Sequence, residues 1–271
     1  MNGPFHQGEL AAQHLAGVVA NGGGIRPFMP DQHREFFAAL PFMLASSVDA
    51  DGAVRAHVLH GAPGFVRTPD DVTLEVDTQL RFAPGSALGM LGIDLSNRRR
   101  NRVNGVVRAS APGKLVLEVR ESFGNCPKYI TLRDVAPAPA PSAPAPVHAF
   151  DGLDPAARAI VARADTFFIA SAGGAHGLDI SHRGGPPGFV GIDGATLQVP
   201  DYPGNRYFNT LGNLVLDARA ALLFIDFDRG DVLELRGSVQ IDWNGDQRSW
   251  RFACAGGTLA RAALPLRWSL H

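Results

Sequence analysis

Near the start of the chain apolar residues fall at helical spacing, and from Phe42 onward the period drops towards two. Leu10, Ala11, His14, Leu15 and Val18 predict a helix over residues 7–20, halted by Gly22-Gly23-Gly24. Pro30-Asp31 opens a second short helix carrying Phe36, Phe37 and Leu40, with Asp31 the expected cap and Pro41 the stop. Alternation then predicts strands over 42–47 and 54–60, joined by Asp49-Ala50-Asp51-Gly52, an Asp-Gly hairpin signal. Further strands are expected at 64–67, 72–76, 88–95, 103–110 and 114–119. A third helix begins at Asp154-Pro155, with Asp154 as cap and Pro155 in the first helical position. Strands follow at 166–171, 178–183, 188–192 and 196–199, then a helix at 208–216 and strands at 220–227, 232–240 and 249–253. Short strands with turn residues at close intervals suggest a closed or partly closed antiparallel barrel.

The pattern is written twice. Phe42-Met43-Leu44-Ala45-Ser46 leads to Gly61-Ala62-Pro63-Gly64-Phe65-Val66, as Phe167-Phe168-Ile169-Ala170-Ser171 leads to Gly185-Pro186-Pro187-Gly188-Phe189-Val190. The early markers are offset by 125 and 124 positions (167 − 42, 185 − 61) and the later ones by 132 (225 − 93 for Ile93/Ile225, 237 − 105 for Gly105/Gly237). About eight residues have therefore entered the second copy, near Pro200 to Leu214, and function is expected there. Repeats of this length are domains, pointing to a fused pseudo-dimer with one elaborated site. The Ala-Pro alternation over 136–146 marks the boundary independently as a semi-rigid linker. The chain thus divides into an N-terminal helical extension (1–30), a first repeat (31–135), a Pro/Ala-rich linker (136–149) and a second repeat (150–271).

Composition narrows the partners. With 25 Lys and Arg against 26 Asp and Glu, net charge −1, no global field favours nucleic acid or an anionic membrane. The basic run Arg98-Arg99-Arg100-Asn101-Arg102 reads as a solvated edge or turn. No stretch approaches the ~18 continuous apolar residues of a membrane helix, and the first ten residues lack the pattern of a signal peptide. Two cysteines, Cys126 and Cys254, are too few for a disulfide framework or a zinc site, so a reducing cytoplasm is the expectation. His57-x-x-His60 has no third ligand in view, since strand positions three apart face opposite sides.

Several ordered motifs of the second copy, Phe168-Ile-Ala-Ser171, Ile180-Ser-His-Arg-Gly-Gly-Pro-Pro-Gly-Phe-Val190, Pro200-Asp-Tyr-Pro-Gly-Asn-Arg206, Asn209-Thr-Leu-Gly-Asn-Leu214 and Leu222-Leu-Phe-Ile-Asp226, resemble the pyridoxamine 5′-phosphate oxidase-like, FMN-binding split-barrel proteins. The resemblance implies a mainly β fold of two tandem split barrels in an intramolecular pseudo-dimer, holding FMN. Residue chemistry agrees: a dianionic phosphate needs cations and donors, and the isoalloxazine ring a flat apolar wall. Asn205 and Arg206 lie in a Gly-containing turn ahead of a helix, Asn209 and Thr210 in its first turn, where amides and dipole favour an anion. Arg206 is the expected phosphate fork. On the strand Ser181-His182-Arg183 only a subset can face the cofactor, and Arg183 is preferred as a second cation. Capping of sheet edges by Arg183 and Arg206 against Asp201 or Asp226 is the bland alternative.

The first copy has Leu59-His60-Gly61 and Thr78-Gln79-Leu80-Arg81-Phe82 where the second has its Arg and Asn-Arg segments, so one FMN per chain is expected. In split-barrel dimers one subunit covers the ring held by the other. By that resemblance Asn125, Lys128 and Tyr129 would contact the second copy's flavin, Lys128 near N1. Leu264-Pro265-Leu266-Arg267-Trp268 would cover the degenerate first site. The resemblance implies an FMN-dependent oxidoreductase passing hydride through flavin N5 between a small-molecule substrate or electron donor and an acceptor, with a further homodimer possible. Fold does not choose among the family's reactions, and two alternatives stand: a non-catalytic flavin-binding or ligand-sensing module, and a barrel holding a deazaflavin or haem.

Overall fold

A computed structural model describes residues 3–139, 146–244 and 247–271. The first half carries α1 (Gln7–Leu15), α2 (Asp31–Ala39), β1 (Phe42–Val48), β2 (Val54–His60), β3 (Val66–Arg67), β4 (Thr73–Val76), β5 (Ala87–Asp94), β6 (Arg99–Ala111), β7 (Lys114–Gly124) and β8 (Arg133–Pro137). The second carries β9 (Val147–Asp151), α3 (Pro155–Arg163), β10 (Thr166–Ala172), β11 (Leu178–Gly184), β12 (Gly191–Asp193), β13 (Thr196–Pro200), α4 (Asn209–Leu216), β14 (Arg219–Asp226), β15 (Asp231–Asp242), β16 (Ser249–Ala260) and β17 (Leu266–Leu270). The chain is mainly β, its strand pairs antiparallel.

Two sheets have the same strand order. The first runs β2-β1-β5-β6-β7-β4-β3 and the second β11-β10-β14-β15-β16-β13-β12. Both long hairpins, β6–β7 and β15–β16, carry a bulge at the equivalent glycine, Gly105 and Gly237, so each bends at the same step. The sheets diverge at the expected place. Between β13 and β14 stand 18 residues (218 − 200), between β4 and β5 only ten (86 − 76), and the eight extra accommodate α4.

Burial follows this plan in three clusters. Phe37, Met43, Leu74, Met90 and Val103 belong to a core within the first half, and Phe167, Ile169, Leu222, Phe224, Trp250 and Phe252 to one within the second. A third draws on both halves, setting Phe42, Leu44, Leu91 and Ile93 against Phe168, Ala170, Ile180, Leu223 and Ile225. Strand alternation explains the division: Phe167 and Ile169 of β10 face inward while Phe168 and Ala170 face the other half.

Several boundaries differ from the sequence reading. α1 stops at Leu15, and Pro30, without a side-chain cap bond, takes the cap position of α2 that Asp31 was expected to hold; Asp31 instead pairs with Arg34 at 3.1 Å. Asp154 does cap α3, accepting from the Ala157 amide at 2.7 Å. The expected linker is shorter than composition suggests, because β8 occupies 133–137, pairing with β17, and β9 occupies 147–151, pairing with β16; residues 140–145 of the Ala-Pro run lie outside the described residues. β17 does not cover a first-half site: Trp268 is buried edge-on between Phe42 and Phe227 in the shared core.

α1 lies outside both sheets and crosses α4 with glycine at each contact. A Cβ at Gly8 would meet the Gly212 carbonyl, and one at Gly212 would stand 2.6 Å from the Glu9 backbone. Two expectations follow from this packing. Truncating Phe168, which has no exposure, to Ala should cost roughly 3–5 kcal/mol, and far-UV circular dichroism in denaturant should record one transition, since halves sharing a core unfold together. Gly212→Ala should cost roughly 1–3 kcal/mol by overpacking, read from the same denaturation curve.

Candidate functional site

The insertion forms one wall of a cavity of about 270 Å³ whose other walls are β11, the start of β6 and the loop after β7. Ser181, His182, Arg183, Asn205, Arg206, Asn209, Thr210, Asn125, Lys128 and Tyr129 all border it. The first seven come from the second half and the last three from the first, so the cavity lies between the halves. Tyr129 has a left-handed backbone, φ 64°, and its carbonyl packs where a Cβ at Gly184 would be; only glycine at 184 admits this approach.

Alternation along β11 separates the two faces. Ser181 and Arg183 face α4: Thr210 Oγ1 donates to Ser181 Oγ at 2.9 Å, and Arg102 Nη2 donates to the same oxygen. His182 points the other way, edge-on to Phe168 at 5.8 Å between ring centres. There Arg100 Nη1 donates to His182 Nδ1 at 2.9 Å and Arg100 Nε to the Cys126 carbonyl at 2.7 Å. A guanidinium only donates, so the imidazole is neutral with its proton on Nε2. Burial first, then Arg100, Arg183 and Arg133, holds His182 well below the usual imidazole range.

The wall is unbalanced in charge. Arg100, Arg102, Lys128, Arg183, Arg206 and Arg248 border the cavity against one acid, Asp201. Arg248 takes Asp201 at 2.6 Å while lying over the Phe208 ring, and Arg102 takes Asp179 at 2.7 Å beneath the floor. Among the described residues Arg100, Arg183, Arg206 and Lys128 have no carboxylate within ion-pair distance. Arg183 spends Nη1 on the His182 carbonyl and leaves Nε buried without an acceptor; Asn125 Nδ2 is likewise unpaired. Burial, then the neighbouring Arg183, pushes Arg100 down to about 10, and burial lowers Arg183 too. The edge-capping alternative fails here, because Asp201 is engaged by Arg248 and Asp226 by Arg163. The basic run is also corrected: Arg98 and Arg99 are exposed, but Arg100 and Arg102 enter the cavity wall, Arg102 with 2% exposure.

α4 brings its N-terminus to the same wall. Its cap residue, Phe208, adopts φ 63° and makes no side-chain cap bond, and Asn209, Thr210 and Leu211 border the cavity. The Asn209 side chain spends one of its two amide hydrogens on Glu9 of α1. Beyond the cations stands an aromatic flank: Tyr129 stacks on Tyr202 at 5.1 Å and 24°, Tyr202 on Phe189 at 6.5 Å, and Phe189 on Phe167.

The corresponding region of the first half is a hollow lined by residues of 58–65 and 77–80 with Gly113, and no lysine or arginine borders it. His57 Nε2 and Ser47 Oγ are 2.8 Å apart, and no group of metal-ligating side chains is found among the described residues. No described helix is long and apolar enough to cross a membrane.

No family model matches the sequence, and no curated protein matches it. Among solved structures, the pyridoxinephosphate oxidase family protein of Clostridium acetobutylicum aligns at 12% identity over 42% of this chain and 92% of its own, TM-score 0.32. A FAD-binding protein from Mesorhizobium loti aligns at 10% identity over 42% and 98%, TM-score 0.31. HupZ of Group A Streptococcus aligns at 14% identity over 35% and 94%, TM-score 0.29. Each spans less than half of this chain, so the site is read from its own residues.

Beneath the floor, Asp179 accepts from Arg102, Asn104 and Asn213, and Glu9 accepts from the His6 amide and Asn209. Burial, then Asp179, pushes Glu9 up to about 7 from 4.5. Between those values the folded chain holds a proton that the unfolded chain has released. This group therefore lowers stability progressively as pH rises from about 4.5 to about 7, by roughly 3 kcal/mol at most. Glu9→Gln should remove that slope: the melting temperature of the variant relative to wild type should rise between pH 5 and pH 8, measured by calorimetry.

Proposed function

We propose that the cavity binds one FMN per chain and that the protein is an FMN-dependent oxidoreductase acting on a small molecule, its two sheets forming a split-barrel pseudo-dimer within one chain. The observation that carries this reading is the set of four cations without carboxylate partners beside an uncapped helix N-terminus, which together suit a dianionic phosphate. Arg206 and Arg183 would grip the phosphate with the amides of Asn209, Thr210 and Leu211. Ser181 and Thr210 offer hydroxyls to a polyol chain. The cavity volume of about 270 Å³ lies just below the ~300–1,000 Å³ usual for small-molecule sites, and the exposed faces of Tyr129 and Tyr202 extend it with a wall for a planar ring.

FMN, when bound, supplies a two-electron hydride acceptor and donor. The chain's part is to bind and orient. Arg100 and Lys128 place two cations on the first-half side, suited to stabilise negative charge there, while the Nε2–H of His182 is buried on the opposite face of the strand without a partner. His182 neither gives nor takes a proton near neutrality, because its lone pair is given to Arg100. That arrangement also disfavours the haem alternative, which would lose the cavity's one histidine as ligand. The visible spectrum of the purified protein separates flavin, deazaflavin and haem.

Arg206→Ala should weaken FMN binding by about 1.5–3 kcal/mol, the worth of a charge-assisted bond, in a fluorescence-quenching titration. Lys128→Ala should change affinity or reduction rate although it belongs to the first half. Arg267→Ala should do neither, because Arg267 donates to the carbonyls of Leu264 and Leu266 away from the cavity. Saturation at two flavins per chain would overturn the assignment of one site.

A further inference from the structure

The segment that presents Arg206 to the cavity is strained. Arg206 and Phe208 both adopt left-handed backbones, φ 64° and 63°, with Tyr207 between them. L-residues with side chains avoid this region, and two such residues flanking one position persist only where packing over-determines them. Neither is glycine or asparagine, and among the described residues the one side-chain bond made within the turn is from the Tyr207 amide to Asn205 Oδ1 at 3.1 Å.

The packing that holds the turn converges on Tyr207 and comes from elsewhere. Phe5 meets its ring edge-on at 5.4 Å, and Phe123 of β7 meets it tilted at 5.9 Å. Gln13 of α1 donates through Nε2 to the Tyr207 carbonyl at 3.3 Å. A Cβ at Gly24 would stand 3.3 Å from the Tyr207 hydroxyl, so the segment after α1 closes over the far end of the ring. Phe5 and Phe123 are themselves buried, so the ring is held between packed partners. Phe5, Gln13 and Gly24 all belong to the N-terminal extension, outside both sheets.

We infer that Tyr207 is a positioning residue, and that the N-terminal extension, by clasping its ring, holds the Arg206 turn in the left-handed conformation that aims the guanidinium at the ligand's anionic group. The inference rests on the FMN reading for the identity of that group. The clasp itself does not. The ring carries the effect, because its hydroxyl has no hydrogen-bond partner among the described residues.

The test uses the full chain with two readouts, FMN affinity and hydrogen exchange of a peptide spanning 203–211. Tyr207→Ala should weaken FMN at least about tenfold and speed exchange in that peptide by about tenfold or more, while Tyr207→Phe stays within about twofold of wild type in both. Phe5→Ala should move both readouts in the same direction and decides the matter if Tyr207→Ala does not fold. Because Tyr207 acts through Arg206, Tyr207→Ala added to Arg206→Ala should cost little further affinity, whereas a merely structural role would give additive losses. Tyr207→Ala and Phe5→Ala proteins with wild-type exchange over 203–211 would overturn the inference. A wild-type chain that binds no FMN would overturn the cofactor reading alone, leaving exchange to judge the clasp.

Discussion

The buried ion pair of Arg102 with Asp179 is the constraint on which the site depends. Arg102 comes from β6 of the first sheet and Asp179 from β11 of the second, and both are nearly devoid of solvent. A guanidinium in such a place is tolerable only with its partner in place; here Nη1 and Nη2 are satisfied, while Nε is left buried without an acceptor. The Ile180 carbonyl and Ser181 hydroxyl accept from it, while Asn104 and Asn213 complete Asp179. One network therefore fixes how the sheets meet, sets the orientation of Ser181 and anchors α4 through Asn213. The shared apolar core supplies adhesion; the ion pair supplies register.

Around this fixed point charge is distributed unevenly. Beneath the cavity floor carboxylates gather, with Asp179 and Glu121 near Glu9, and burial pushes Glu9 and Glu121 towards their protonated forms. Above it guanidiniums gather, and burial first, then a neighbouring guanidinium, lowers Arg100 and Arg183. Arg102 separates the two populations. An anionic ligand entering from the cation side would complete a charge balance that the described residues leave open, whereas the acid side is closed by α1.

Much of this was legible in the sequence because it depends on local chemistry or on repetition. The offsets of 125 and 132 became two sheets of one strand order, and the insertion inferred from their difference became α4 and a cavity wall. Gly-Asn-Arg ahead of a helix, and Ser-His-Arg on a strand, are local patterns. Arg100 and Arg102 read as solvated in the sequence because the groups that receive them lie far along the chain, His182 82 positions from Arg100 and Asp179 77 positions from Arg102. The diversion of Asn209 to Glu9 was hidden for the same reason, its partner lying 200 positions earlier. Strands β8 and β9 escaped because the Pro/Ala-rich segment they flank shows little alternation; Leu266-Arg267-Trp268-Ser269-Leu270 does alternate, but only its pairing with β8 across the chain shows it as strand β17.

The equivalence of the two sheets and their possession by a single chain have a consequence for how such a site can change. In an assembly of identical subunits every substitution appears twice, so a residue improved for covering a ligand is also imposed on the place where a ligand is held. Here Arg100, Asn125 and Lys128 stand on one half and Arg183 and Arg206 on the other, each altered by a single codon. On the FMN reading proposed above, covering and holding would be open to separate tuning, and the hollow of the first half, with no lysine or arginine on its border, would be free of both demands.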